Sequence, residues 1–120
     1  MESILTYIKQ LLGIDENDTH FDPDVIMHIN STFSTLNDLG VGPEETFSIS
    51  DKNAVWDDFI EEAPDFNDVK TYIYLKVKLI FDPPSSSSVL DAYKREADAI
   101  EWRLTVRASN KKKLGGDDNE

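Results

Sequence analysis

The 120-residue chain contains no cysteine, only two histidines, and five each of glycine and proline. Without cysteine there is no disulfide framework and no thiolate metal site, which fits a reducing compartment. Two scattered histidines without an HExxH pair argue against a transition-metal centre. Neither His20 nor His28 lies beside a GxSxG turn, and no glycine-rich loop leads into a helix carrying a lysine, so serine-nucleophile and phosphate-cradling patterns are both missing. Asp15, Asn17 and Thr19 imitate the first ligands of a calcium loop, but His20 replaces the turn glycine and Ile26 replaces the bidentate glutamate. No apolar run approaches the roughly 18 residues of a membrane span. Residues 1–13 carry no cationic leader. The expectation is a soluble protein, intracellular where it is made, with no cofactor, metal, membrane partner or enzymatic activity.

Leu, Ile, Val and Phe supply 33 of the 120 residues, enough for one compact core. Bases are scarce, 12 against 24 acids, and the charge is uneven. Residues 15–68 hold fifteen acids and one base, net −14, whereas residues 69–113 hold five acids and ten bases, net +5. Basic residues cluster only at Lys111, Lys112 and Lys113, which speaks against nucleic-acid binding. Opposite halves of this kind suit head-to-tail self-association, in which the acids of 15–68 face the basic end of the last helix of a neighbour or line a channel. They also suit a solvated acidic surface, or an acidic DNA mimic that blocks a DNA-binding protein.

The spacing predicts an all-α fold: a small bundle of four to five helices with long loops and a long C-terminal helix. Ile4, Leu5, Ile8, Leu11 and Leu12 make a helical stripe that Gly13 stops. Asp22 caps a second helix over 23–39, with Pro23 at its first position, and Gly40 follows. Residues 40–50 form a loop with a short extended piece at 46–49. Ser50 or Asp51 caps a short helix through Trp56 and Phe59, ended by Pro64. Segment 69–81 alternates like a strand yet is long and continuous, and reads as a helix buried on most of its surface. Asp82-Pro83-Pro84 breaks it. Ser88 and Asp91 form a capping box for a last helix over 88–109, whose stripe is Val89, Tyr93, Ala97, Ile100 and Leu104. Residues 1–110 are thus one helical domain, and 111–120 a flexible charged tail.

Tyr7, Tyr72, Tyr74, Trp102 and Val106 lie off the main stripes, and aromatics beside arginine are what interfaces concentrate. The candidate contact residues are Val41, Pro43 and Phe47 in the loop, Trp56 in the short helix, and Tyr74. The last helix and its end add Trp102, Arg103, Val106, Arg107, Lys111, Lys112 and Lys113.

Several strings resemble the head-tail connector, or head completion, proteins of tailed bacteriophages and prophages: IKQLLGI (8–14), NDLGVGP (37–43), WDDF (56–59), VKTYIYLKVKLIFDPPSSS (69–87) and EWRL (101–104). The resemblance spans about residues 3–107. It implies a helical adaptor in a ring of twelve copies beneath the portal protein, extending the DNA channel and offering a platform to a tail-side stopper or tail-completion protein. DNA would pass without specific binding, in the virion neck, after assembly in the host cytoplasm. The family has no catalytic motif to carry over.

Overall fold

The computed structural model describes residues 2–59 and 65–118, with side chains placed through Asn110. Five helices follow in order: α1 (Ile4–Leu12), α2 (Asp22–Asp38), α3 (Trp56–Phe59), α4 (Phe66–Phe81) and α5 (Ser87–Asp118). Among the described residues there is no strand, only an isolated antiparallel bridge between Ser3 and Val55.

Local chemistry sets the ends of the first helices. Ser3 Oγ accepts the Thr6 N–H at 3.2 Å to open α1. Gly13, at φ +79°, closes it: its N–H donates to the Gln10 carbonyl, and the Ile14 N–H donates to Lys9. Gly40, at φ +85°, ends α2 by the same pattern, with the Val41 N–H reaching the Leu36 carbonyl at 2.9 Å.

α4 lies at the centre, packed on α2, α5 and α1. It therefore buries Val69, Tyr72, Ile73, Leu75 and Val77, more than one stripe, as expected of a helix covered from several sides. α1 contributes Ile4, Leu5 and Ile8, α2 contributes Val25, Ile29, Phe33 and Leu36, and α5 contributes Ala97, Ile100 and Leu104. At ~1.5 Å per residue, the 32 residues of α5 set the long dimension of the 52 × 35 × 19 Å molecule.

Several sequence expectations need correction. Asp22 is the first residue of α2 and makes no capping hydrogen bond; its carboxylate turns instead to Lys9. Ser50 and Asp51 do not cap α3, because Asp51 Oδ1 is taken by the Asn53 N–H in a tight turn, while Asp58 Oδ2 accepts the Val55 N–H just before the helix. The expected end of that helix at Pro64 lies outside the described residues. The piece at 46–49 finds no strand partner; the Asn30 side chain does that job, donating to the Ile49 carbonyl at 2.9 Å and accepting its N–H at 2.7 Å. α4 starts three residues earlier than its periodicity, at Phe66. The capping box at Ser88 is displaced, since α5 begins at Ser87 and its first turn bonds the Leu90 N–H to the Ser86 carbonyl. α5 also runs to Asp118, nine residues beyond the expected end at 109. Propagation needs only one bond per added residue once a helix exists.

Candidate assembly interface

The expected contact residues divide between interior and surface. Trp56 is 1% exposed and stands edge-on to Tyr7 at 5.7 Å and Phe66 at 6.3 Å. The Lys70 ammonium lies 4.2 Å from the centre of the Tyr7 ring and 5.0 Å from that of Phe66, and it pairs with Glu2 at 2.9 Å. Trp56 thus anchors α3 into the core beneath a cation–π contact. Val41 is buried, and Phe47 is half-buried with its ring 4.9 Å from Phe33 and 5.4 Å from Phe59. Pro43 is exposed, but Asn37 Nδ2 ties its carbonyl and that of Glu44 to α2 at 3.2 and 3.0 Å. Tyr74 is half-buried at the α4–α5 seam, where burial, and then Tyr93, push its phenol above the usual value.

Arg103 and Arg107 already have partners within their own chain. Arg103 Nη2 donates to Asp68 Oδ1 at 3.1 Å, and Arg107 Nη1 donates to Asp68 Oδ2 and Asp65 Oδ1, both at 2.8 Å. Within the chain, two acids at the start of α4 hold this basic end, clamping α4 to α5. The spacing between Asp65/Asp68 and Arg103/Arg107 in the sequence carries no hint of this contact. Lys111, Lys112 and Lys113 lie on α5, with side chains outside the described residues.

This clamp has a pH signature. The hydrogen bond from Arg103, followed by that from Arg107, holds the Asp68 carboxyl below its ordinary value against the opposing effect of burial. A carboxylate lowered in the native state stabilises fully above the unfolded value of about 3.9 and loses that contribution as pH falls through the native value. The urea midpoint should therefore fall more steeply from about pH 5 to about pH 3 in the wild-type chain than in Asp68→Asn. Equal falls would show that the clamp adds nothing.

Trp102 stands apart. It is 68% exposed and points away from the core side of α5. Arg95, Ala99, Trp102 and Val106 recur at spacings of four, three and four, opposite Ala97, Ile100 and Leu104. Arg95 makes no ion pair among the described residues. Across the domain, a pocket of about 660 Å³ opens between α1, the start of α2 and the 50–52 loop, lined by Leu5, Lys9, Pro23, Ile26 and Ser50 among others. The sequence pattern missed this pocket because its walls come from three separate segments.

The described residues thus form an all-helical fold with an ion-pair clamp between α4 and α5, an exposed tryptophan and an open pocket. The chain belongs to the phage connector protein family, whose profile matches residues 4–111. The family is structural, so the chain is a bacteriophage structural protein and not an enzyme. Comparison with curated proteins finds no match, and neither does comparison with solved structures.

Proposed function

We propose that the chain is a head-tail adaptor that forms a ring of twelve copies beneath the portal protein, prolongs the DNA channel and gives the tail-side stopper or tail-completion protein its seat. Its place is the virion neck, reached by assembly in the host cytoplasm. The observation that carries this reading is the family match over residues 4–111. The charge supports it: the net −14 of residues 15–68 repels phosphate, so DNA slides past without specific binding. Among the described residues no helix is long and apolar enough to cross a membrane.

The test is the light-scattering mass of the purified chain, alone and with its portal complex, across salt concentrations. The expected result is a portal-bound species heavier by twelve chains of 13.6 kDa. A monomer that ignores the portal but binds a basic DNA-binding protein, and is displaced by duplex DNA, would overturn the reading in favour of the acidic mimic.

A further inference from the structure

The packing that organises the domain joins α1, α2, α4 and α5, and α3 has no comparable helix partner. Residues 39–55, which lead into α3, contain no helix or strand and exceed the roughly 12–15 residues beyond which a loop usually has a task of its own. From Gly42 to Asn53 only Phe47 and Ile49 turn inward, and sparse burial of this kind marks a segment that opens below the global unfolding free energy. Gly40 and Gly42, at φ +85° and +89°, stand where the segment leaves α2, and glycine crosses between the two hands of backbone conformation without steric cost.

The far end of the segment is held by residues from the start of the chain. The Ile4 N–H donates to the Ala54 carbonyl at 3.0 Å, the Trp56 N–H donates to the Glu2 carbonyl at 3.3 Å, and Ser3 bridges to Val55. Lys70 of α4 locks this strap in place. Its ammonium donates to Glu2 Oε1 at 2.9 Å and lies over three rings, Tyr7 of α1 at 4.2 Å, Phe66 of α4 at 5.0 Å and Trp56 of α3 at 5.8 Å. One cation thus ties the chain start, α1, α3 and α4 together. Its side chain is 14% exposed, so these cation–π contacts are largely desolvated and correspondingly strong.

We propose that residues 39–59 form an arm that opens as one unit, hinged at Gly40 and Gly42, and that the Glu2–Ile4 strap with Lys70 is its latch. The α4–α5 clamp of Asp65, Asp68, Arg103 and Arg107 shares no residue with the arm or the strap, so it stays closed when the arm opens. Opening uncovers the cluster of Phe33, Phe47 and Phe59, whose ring centres lie 4.6 to 5.4 Å apart when the arm is shut. The device stands independently of the ring reading above.

Amide hydrogen exchange of the whole chain, read by NMR, tests this. The Ile4 and Trp56 N–H groups bond across the latch, and the Ile49 N–H bonds from the arm to Asn30 of α2. These three should exchange at one common rate, about tenfold or more above that of Ile73 in α4 and Ile100 in α5. Glu2→Gln removes only the ion pair and should speed the three about two- to fivefold, whereas Lys70→Met also removes the cation–π contacts and should speed them about tenfold. Asp68→Asn loosens the clamp and should speed Ile73 and Ile100 while leaving the three unchanged. A single rate for both sets in the wild-type chain would overturn the proposal, because no separate unit would exist. Equal acceleration of both sets by Asp68→Asn would do the same, since the arm would then open only with the whole domain. Fraying of the chain start alone frees Ile4 and Trp56 but not Ile49, so an Ile49 that keeps the slow rate also overturns it. If Glu2→Gln and Lys70→Met both leave the three rates unchanged, the latch is wrong.

Discussion

Lys9→Met is expected to lower the unfolding free energy by about 3–5 kcal/mol, the range for removing one partner of a buried ion pair. Lys9 is 3% exposed, in a helix whose other buried residues are Ile4, Leu5 and Ile8. Its ammonium lies 3.1 Å from the Glu16 carbonyl, 2.7 Å from the Asp18 carbonyl and 2.8 Å from Asp22 Oδ1, the last at an angle that makes it an ion contact and not a directed hydrogen bond. The acidic loop between α1 and α2 therefore folds around a cation supplied by the chain itself. Asp15 and Asp18 complete it by accepting the N–H groups of Asn17 and His20. Methionine keeps the aliphatic stem and removes the charge, leaving two carbonyls and a carboxylate without their shared donor. Urea unfolding followed by the fluorescence of buried Trp56 measures the loss, and Lys9→Met/Asp22→Leu should recover part of it. A loss below about 1 kcal/mol would mean that water replaces the ammonium at little cost.

Gly42→Ala should cost roughly 2–5 kcal/mol, from two sources that a second variant separates. Gly42 has φ +89°, a backbone state that L residues rarely adopt, and an added methyl would come within 2.5 and 2.6 Å of two Phe59 ring carbons. The ring cannot step aside freely, because its centre is 4.6 Å from that of Phe33 and 5.4 Å from that of Phe47. Gly13 has a similar φ of +79° but open space where the methyl would go. Gly13→Ala should therefore cost only the backbone part, about 1–2 kcal/mol. Thermal melts of the two variants give the steric part by difference, and equal melting temperatures would show that the aromatic cluster yields.

The clamp at Asp68 illustrates a different kind of illegibility. Its four residues were all visible as charges, and Arg103 and Arg107 even stood out as candidates for contact with a partner. Their acids lie 35 to 42 positions away in sequence. Only the packing of α5 along α4 brings them within reach. Trp56 shows the same effect for an aromatic: in the sequence it resembled an interface anchor, and in the fold it is core.

What the sequence determined by itself was whatever depends on neighbours a few positions apart. The stripe of α1 with its Gly13 end, the stop at Asp82-Pro83-Pro84, the long final helix and the family resemblance were all legible, because breaking and helical periodicity are local interactions. Segment 69–81 was ambiguous for a physical reason: α4 is covered by α1, α2 and α5, so its apolar residues occupy more than one face and blur the period. Tertiary structure alone decided that Lys9 is buried, that Asn30 acts as the partner strand for Ile49, and that Trp102 remains exposed while Trp56 does not. Each of these outcomes is set by what another segment brings to the same place, and a side chain's burial or charge pairing has no counterpart in the spacing of its own helix.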